Sequence, residues 1–569
     1  MKNQEVAKLL YEIADLLEIK GEMIFKVRAY RRAAQVIESL SKDIEDVYVE
    51  GKLDDIPGVG QGIAEKIEDY LDKGKLKYLE TLKRGLPPGF EEMLAVEGIG
   101  PKKVKLFYEK LKIKSIKDLE GAAKEGKLRK IPTLGAKTEE NILKAIESAK
   151  KRGGRMLLGQ ALIMADEIVN ELKKNKNVGR ISVAGSLRRM KESIGDIDIL
   201  VTSGKPSDII NHFTKMKGVS RVIATGPTKA SVNLSNGMQV DLRVLPDKEY
   251  GSALMYFTGS KDHNVELRKI AIAKRMKLSE YGLFGGKKFV AGRTEEEIYS
   301  KLGMHYIEPE MRESRGEIEL AKRGKLPRLV GYDDIKGDLQ MHTRWSDGAN
   351  TIEEMAQAAK RLGYEYICIT DHVVQPSIAN PLNAKRLAQQ RNEIDKLNDK
   401  MSGITILQGA EITIDLNGGF GIDNNVLKGL DVVLASLRSA LKQPRAAITG
   451  RVLKAMENPH VDILAHPTAR LIDKRDGAEL DMEKIIEKAI ETGTVLEIDA
   501  QPNRLDLNDV NVKAAVEAGC KLSIGTDAHS ADQLQYMRIG IGTARRGWAT
   551  KDDVINTFSL EKMRKLLKG

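Results

Sequence analysis

The chain has 569 residues, a formal net charge of +11 and a pI near 9.1. This length exceeds what one hydrophobic core supports, so we expect roughly four domains. No apolar run approaches the roughly 20 residues of a membrane span, and no signal-peptide core is found, which predicts a cytoplasmic protein without a membrane partner. The basic balance suits an anionic partner such as nucleic acid, although a charge-rich solvated surface gives the same excess. Cys368 and Cys520 lie in apolar runs and are predicted to be buried and reduced.

The first 150 or so residues have apolar spacing near 3.6, which predicts helices. An apolar residue, a glycine turn and a helix start recur there, in good copies at Gly58 and Gly60 and at Gly98 and Gly100. A weaker third copy has Thr133 in place of its first glycine. Glycines let backbone amides approach a phosphate, and the helix N-terminus adds its dipole. The pattern resembles the helix-hairpin-helix motif, which implies DNA backbone contacts without sequence reading.

Strand-like alternation replaces the helical spacing from about residue 178. A first strand ends in the turn Gly185-Ser186, and a glycine-serine turn at a helix start can hold phosphate oxygens. The next strand contains Asp196 and Asp198, and Asp241 lies in a later one. Because the side-chain period of a strand is two, the two aspartates of the first strand point to one face.

Two carboxylates on one strand and a third on a neighbour can hold two Mg²⁺ or Mn²⁺ ions about 4 Å apart. One ion would lower the pKa of a primer 3′-hydroxyl, and the other would neutralise a triphosphate and its leaving pyrophosphate. Asp241, near the attacking side, could take up the hydroxyl proton. The order of the turn, an arginine, Gly-Asp-x-Asp and a later strand aspartate predicts a nucleotidyltransferase, against the alternative of exposed strand-end aspartates.

The following segment narrows the substrate. Tyr256-Phe257-Thr258-Gly259 precedes Asn264 and Arg268. Together with the aspartates, it resembles the family X DNA polymerases, the DNA polymerase beta-like family, over roughly residues 1–315. The resemblance implies that the aromatic pair packs under the incoming sugar, and that the asparagine and arginine contact the nascent pair and the template minor groove. The nucleotide contacts it implies are Ser186, Arg189, Gly195, Tyr256, Phe257, Gly259, Asn264 and Arg268.

The resemblance also reaches the N-terminal helices. Family members with deoxyribose-phosphate lyase activity form a Schiff base through a lysine, which needs a neutral amine. The matching position is Lys66, with Lys26 and Tyr30 at supporting, DNA-contacting positions. Gly62 replaces a basic residue of that pocket. Lys66 is therefore expected either to catalyse the lyase reaction or to contact a phosphate.

Strand-like runs alternate with helical stretches after about residue 335, which predicts a parallel α/β barrel or open sheet. Polar residues follow the ends of those runs, and four of the eight histidines lie there. Functional residues on the C-terminal rim are typical of a parallel barrel, and histidines with carboxylates suit Zn²⁺ or Mn²⁺. The sequence therefore predicts a second metal site.

Residues 335–569 resemble the PHP domain that bacterial and archaeal family X polymerases carry. In that family nine positions usually bind three metals for phosphoester hydrolysis, often as a 3′–5′ exonuclease. Gln340 and Arg438 depart from the pattern, and arginine cannot coordinate a cation, so one metal is expected to be lost or weakened. The matching ligands are His342, Asp347, His372, Glu411, His466, Asp527 and His529.

The resemblances imply a multidomain fold: an all-α helix-hairpin-helix region, an α/β nucleotidyltransferase palm and thumb, and a distorted C-terminal α/β PHP barrel of about seven strands. The expected domains are a helical DNA-binding and lyase-like domain (1–85), a fingers-type helical domain (86–150), a palm (151–250), a thumb-type domain that binds the nascent pair (251–315), a linker (316–334) and the PHP domain (335–569).

The predicted function is gap filling in base excision repair, by a monomer that uses dNTPs on double-stranded, gapped or primed DNA. The PHP domain either adds 3′–5′ exonuclease or AP endonuclease activity, or is a hydrolytically inactive structural domain. Other interpretations are a non-DNA nucleotidyltransferase, a non-catalytic binder of DNA gaps, and a PHP hydrolase with a targeting region. The Tyr256-Phe257 turn and the hairpins oppose the first, the intact carboxylates the second, and Arg438 the third.

Overall fold

The computed structural model divides into two compact units, Met1–Gly153 and Gly154–Gly569. Within the described part of the chain, no helix is long and apolar enough to cross a membrane. Both cysteines are buried free thiols, as predicted. The described residues are 2–38, 44–56, 58–84, 89–90, 93, 96, 99–131, 134–135, 138–143, 146, 155–374 and 380–567.

The first unit is helical in its described residues, as the apolar spacing predicts, and buries a mostly aliphatic core. Gly60 and Gly100 are the N-cap residues of two helices, and Gly58 has a φ of +88°, a conformation that favours glycine. Gly98 lies outside the described residues. The helix bounds are α1 Lys2–Lys20, α2 Ile24–Glu38, α3 Ile44–Val49, α4 Gln61–Lys73, α5 Lys77–Lys83, α6 Pro101–Leu111 and α7 Ile116–Lys124.

A five-stranded mixed sheet opens the second unit, in the order β2-β4-β7-β6-β5. Strands β4 and β7 are parallel neighbours. The apolar side chains on one face of both strands are buried and share a core with the neighbouring helices. Its strands are β2 Ile181–Val183, β4 Asp196–Thr202, β5 Val219–Thr225, β6 Lys229–Leu234 and β7 Gln239–Leu245, while β1 Met156–Leu157 and β3 Ser193–Ile194 form a separate antiparallel pair. The helices are α8 Leu158–Lys173, α9 Gly185–Arg188 and α10 Pro206–Thr214.

A three-stranded antiparallel sheet follows, in the order β10-β9-β8. Its helices precede and follow it in the chain and share its apolar cluster. The strands are β8 Lys277–Ser279, β9 Gly282–Gly285 and β10 Lys288–Ala291. The helices are α11 Tyr250–Thr258, α12 Lys261–Ala273 and α13 Glu295–Lys301.

The segment expected to be a linker, 316–334, is packed against the rest of this unit. It contains helix α14 (Glu317–Lys322), and its Glu317 is buried and bonded to Nδ1 of His263 at 2.7 Å. Just before it, Arg312 is buried against Glu295 at 2.6 Å. Glu317 and Arg312 are thus both buried and each is hydrogen-bonded to a side chain on another element.

A parallel sheet forms the C-terminal part, in the order β11-β12-β14-β15-β16-β17-β18, with β13 beside β14. A bridge between Met341 and Ala528 links its two edges, so the sheet nearly closes. This confirms the predicted α/β barrel of about seven strands. The strands are β11 Gly337–Asp338, β12 Tyr366–Ile369, β13 His372–Val373, β14 Thr405–Thr413, β15 Val432–Ser436, β16 Ile463–Ala465, β17 Val495–Asp499 and β18 Leu522–Gly525.

Helices flank this barrel, and some residues of these helices and of the loops beside them complete the cores of the preceding sheets. Leu505 and Ile539 belong to the apolar core of the five-stranded sheet, and Trp548 belongs to that of the three-stranded sheet. The second unit therefore has interlocked cores. The helices are α15 Ile352–Arg361, α16 Ala384–Lys400, α17 Asn424–Lys428, α18 Arg445–Met456, α19 Met482–Thr492, α20 Asp509–Ala518, α21 Met537–Arg546 and α22 Leu560–Leu567.

Candidate functional site

The three predicted polymerase aspartates lie on the neighbouring strands β4 and β7. The strands are in register with Asp198 beside Asp241, and Asp196 lies two residues earlier on the same face. Asp196 is exposed and the other two are partly buried, whereas the intervening isoleucines are fully buried. The described donor groups whose ligand atoms all lie within 4.8 Å do not include this set. The strands thus bring the carboxylates to one face without forming a closed ligand cluster.

The electrostatics of this face favour a cation. Burial, and then the negative charges of Asp196 and Asp241, raise the pKa of Asp198 to about 7. Asp241 accepts a hydrogen bond from Nε2 of Gln239 at 2.9 Å and another from the hydroxyl of Ser231. A divalent cation would relieve this repulsion, and its preferred ligands are carboxylate oxygens. The residues present therefore fit the Mg²⁺ or Mn²⁺ that the resemblance implies.

A glycine turn packs directly on these strands. Gly185 has a φ of +62°, and a Cβ there would lie 2.3 Å from Oδ2 of Asp198, so no side chain fits. Ser186, next in the turn, is partly buried, and Gly195 immediately precedes β4. Arg189 donates from Nε to Glu313 at 3.1 Å and also bonds to the carbonyl of Thr258. The structure thus brings the predicted triphosphate contacts beside the aspartates.

The aromatic turn closes the same region. Tyr256 is 36% exposed, and its ring meets that of Phe257 edge to face with centroids 5.1 Å apart. Gly259 ends α11 with a φ of +71°, and Asn264 donates to the carbonyl of Tyr256 at 2.7 Å. Arg268 is exposed on α12. These contacts fix the shape of the turn and leave one aromatic face accessible.

Phe257 is linked to the aspartate strand through Arg243, which sequence reasoning missed. The guanidinium of Arg243 lies 4.3 Å from the centroid of the Phe257 ring, and this residue is two positions after Asp241 on β7. The strand period alone places it on the aspartate face, so that signal was available. Its charge lowers the pKa of Asp198, against the larger effects of burial and the neighbouring aspartates.

In the first unit, Lys66, Lys26 and Tyr30 gather around Tyr78. Lys66 donates to the carbonyl of Gly62 at 2.6 Å, and its ammonium lies 4.8 Å from the centre of the Tyr78 ring. Burial alone would lower the pKa of Lys26, but Tyr78 and Glu22 raise it. Burial, and then Tyr78, raises the pKa of Tyr30. Tyr78 had no signal in the sequence beyond its helical position.

The predicted PHP ligands converge on the rim of the barrel. All seven belong to three donor groups in which the ligand atoms lie within 4.8 Å of one another. Asp499, at the end of β17, joins one group and was missed, although it follows the same strand-end rule. The groups are His342, Asp347, His372 and His529; His342, Glu411 and Asp527; and His466, Asp499 and Asp527.

The chemistry of this donor set fits divalent metals. Nδ1 of His342 and Nδ1 of His466 are buried without a hydrogen-bond partner in the described structure, which is costly for a polar atom. Burial, and then Asp527, raises the pKa of Asp499 well above its ordinary value. Buried imidazoles and crowded carboxylates together are the donors that Zn²⁺ and Mn²⁺ prefer.

Gln340 and Arg438 both face Glu411. Arg438 donates to Oε1 of Glu411 from Nε at 3.0 Å and from Nη2 at 2.7 Å, and its Nη2 lies 3.3 Å from Nε2 of His372. Gln340 donates to Oε2 of Glu411 at 3.3 Å, or to Glu497 at 2.8 Å if its amide is turned over. Burial alone would raise the pKa of Glu411, but Arg438 and then His372 hold it well below its ordinary value. The guanidinium of Arg438 thus occupies the side of Glu411 that would be open to a metal ion if a metal ligand stood at position 438.

The comparison with known proteins shows the family. The DNA polymerase/3′-5′ exonuclease PolX of Bacillus subtilis is 38% identical over 572 residues, spanning all of both chains. The chain belongs to the PolX family of DNA polymerases. Family models match this PolX-family chain as a helix-hairpin-helix domain (1–76), a SAM-like helix-hairpin-helix tandem (90–148), a DNA polymerase beta thumb (253–313) and a PHP domain (338–501).

Two further relatives each match part of the PolX-family chain. A probable phosphatase of Thermoanaerobacter sp. (strain X514) is 31% identical over 41% of this chain and 94% of its own length. DNA polymerase lambda of Rattus norvegicus is 27% identical over 55% of this chain and 56% of its own length. The predicted family and fold class are confirmed: the chain is a DNA polymerase with helix-hairpin-helix regions, a beta-type thumb and a C-terminal PHP domain.

Proposed function

We propose that this polymerase fills short gaps in DNA with dNTPs, through Asp196, Asp198 and Asp241. The observation that carries the proposal is the register of β4 and β7, which pairs Asp198 with Asp241 beneath a turn where only glycine fits. When bound, Mg²⁺ or Mn²⁺ supplies charge neutralisation at the triphosphate and activates the primer hydroxyl. The three carboxylates hold the cations, and Asp241 accepts the hydroxyl proton.

The nucleotide is bound by the residues around this face. Ser186, Arg189 and Gly195 contact the triphosphate, because the turn and the arginine lie beside the aspartates. The exposed face of Tyr256, backed by Phe257 and Gly259, supports the sugar. Asn264 and Arg268 lie on the following helix and contact the nascent pair and template.

DNA is positioned through the N-terminal unit. Gly58, Gly60 and Gly100 bring backbone amides to the DNA phosphates, and Gly98, which lies outside the described residues, is assigned the same role. We propose that the cluster of Lys66, Lys26, Tyr30 and Tyr78 binds a phosphate or supports lyase chemistry, which primer extension does not test. A monomeric state, base excision repair as the pathway and a cytoplasmic location stay predictions.

We also propose that the PHP domain hydrolyses DNA 3′ ends with Zn²⁺ or Mn²⁺. The converging donors His342, Asp347, His372, Glu411, His466, Asp527 and His529 support it, and Asp499 adds another. The alternative is a structural PHP domain that binds metal without hydrolysis, which the guanidinium of Arg438 at Glu411 favours.

Templated primer extension tests the polymerase proposal. We expect the wild-type chain to add one nucleotide to a single-nucleotide gap, selecting the complementary dNTP over the other three. The addition should stop with EDTA and resume with excess Mg²⁺ or Mn²⁺, because the carboxylates need a cation between them. Failure to extend in both metals, or extension that ignores the template base, would sink the proposal.

Changing Arg438 to His should alter the metal content of the PHP site. The variant exchanges a fixed cation at Glu411 for a metal donor, so we expect about one more bound Mn²⁺ per chain than in the wild type. Mass spectrometry of dialysed protein counts the ions. Arg445→His, at an arginine whose side chain is 62% exposed on α18, is the control. Equal metal counts in the wild type and in Arg438→His would contradict the claim that the guanidinium of Arg438 takes the place of a metal ion.

A further inference from the structure

Helix α21 of the PHP part packs against the turn that carries Arg189. A Cβ on Gly542 would lie 2.5 Å from Cε of Met190, so the helix backbone closely approaches the residue that follows Arg189. The last residue of the helix, Arg546, has only 4% of its side chain exposed. A buried arginine at such a position needs partners, and Arg546 has them on both the polymerase side and the PHP side.

Arg546 bonds to the nucleotide-binding segment in two ways. Its Nη1 donates to the carbonyl of Arg189 at 2.7 Å and to Oε1 of Glu313 at 2.9 Å. The same Oε1 accepts from Nε of Arg189 at 3.1 Å. Arg546 therefore holds the backbone of Arg189, and it also holds Glu313, the carboxylate that orients the guanidinium of Arg189.

The other side of Arg546 is anchored within the PHP part. Its Nη2 donates to Oδ2 of Asp509 at 2.5 Å, and Arg315 donates to the same oxygen at 3.0 Å. Glu313 and Asp509 are each shared by two guanidiniums and have side-chain exposures of 13% and 17%. Shared, largely buried ion pairs of this kind restrict the rotamers of all their members.

We propose that Arg546, held by Asp509, is a positioning residue for nucleotidyl transfer: it fixes Arg189 in the geometry that receives the dNTP triphosphate. This inference rests on the proposed contact between Arg189 and the triphosphate. The PHP part then acts on polymerisation through structure, whether or not it hydrolyses DNA. Without Arg546, Glu313 loses one of its two guanidinium partners and the Arg189 carbonyl loses its donor, so the guanidinium is free to adopt other orientations.

Kinetics of single-nucleotide gap filling test the proposal, using full-length Arg546→Gln and Asp509→Asn. We expect a roughly 10-fold rise in KM for the dNTP in Arg546→Gln, since a charge-assisted hydrogen bond of this kind is lost. Asp509→Asn should show a smaller rise, because Arg546 keeps its bonds to the Arg189 segment. The kcat should change by less than the KM, because the carboxylates are untouched.

Arg545→Gln is the matched control. Arg545 is the preceding residue, is also buried, and bonds instead to Glu310 at 2.8 Å and to the carbonyl of Val330. Like Arg546, it links the PHP part to an earlier part of the chain. None of its described hydrogen bonds reaches the Arg189 segment. Its KM for dNTP should stay within about two-fold of the wild type at temperatures where all variants remain folded by circular dichroism.

An unchanged KM in both Arg546→Gln and Asp509→Asn, or an equal rise in Arg545→Gln, would overturn the inference. If Arg546→Gln does not fold, the Asp509→Asn result decides. A wild-type chain that extends no primer would refute the proposed polymerase function instead, so the two failures are distinguishable.

Discussion

Asp198→Asn is expected to reduce single-nucleotide gap filling by on the order of 10³-fold or more, because it removes a negative charge from the proposed cation site. Asparagine has the same shape as aspartate, so the buried packing beside Gly185 is preserved. Burial and then its two acidic neighbours raise the pKa of Asp198 to about 7, so the charged form of this carboxyl is unfavourable unless a cation lies beside it. The measurement is the rate of extension at saturating dNTP and Mg²⁺.

Asp208→Asn provides the matched control for this change. Asp208 lies exposed on α10 of the same sheet region and accepts a bond from Asn177 at 3.1 Å. It should extend primers at the wild-type rate and melt at the wild-type temperature. Wild-type rates in Asp198→Asn would place the cations elsewhere and contradict the assignment of the carboxylates.

Asp527→Asn is expected to lower both the metal content of the PHP site and the hydrolysis of a 3′-labelled strand, the latter by on the order of 10²-fold. Asp527 belongs to two of the three donor groups and is only 2% exposed. Burial would raise its pKa, but His342 and neighbouring cationic groups hold it well below its ordinary value, so it offers a carboxylate. Primer extension should persist, since the polymerase carboxylates are intact.

The exposed Asp532, five residues later, supplies the control variant Asp532→Asn. Its metal content and hydrolysis rate should match the wild type. Hydrolysis that continues unchanged in Asp527→Asn would exclude the PHP rim as the nuclease. If Asp527→Asn loses metal but the wild-type chain shows no hydrolysis, the result would instead support the structural PHP alternative.

Local periodicity was enough to predict much of both sites. The strand period placed Asp196 and Asp198 on one face, and strand ends marked the rim residues such as His466. The same two rules could have identified Arg243 and Asp499. These signals work because the side chains are positioned by the element on which they lie.

Long-range ion pairing could not be predicted in this way. Glu317, in the segment predicted to be a linker, is buried against His263, and Arg312, just before that segment, is buried against Glu295. Arg546 and Arg189 are 357 residues apart in the chain, and no local pattern relates them. Such pairs depend on tertiary packing, so a charge in the sequence does not show whether it faces water or a counter-ion.

The interlocked cores have a consequence for how this architecture can be altered. Leu505, Ile539 and Trp548 fill apolar interiors of the polymerase part while their own helices and loops belong to the barrel region. A chain cut between these parts would expose apolar surface on both fragments, which costs about 25 cal/mol per Å². The polymerase and PHP parts are therefore not interchangeable modules: recombination with an unrelated partner would have to replace the shared interior as well.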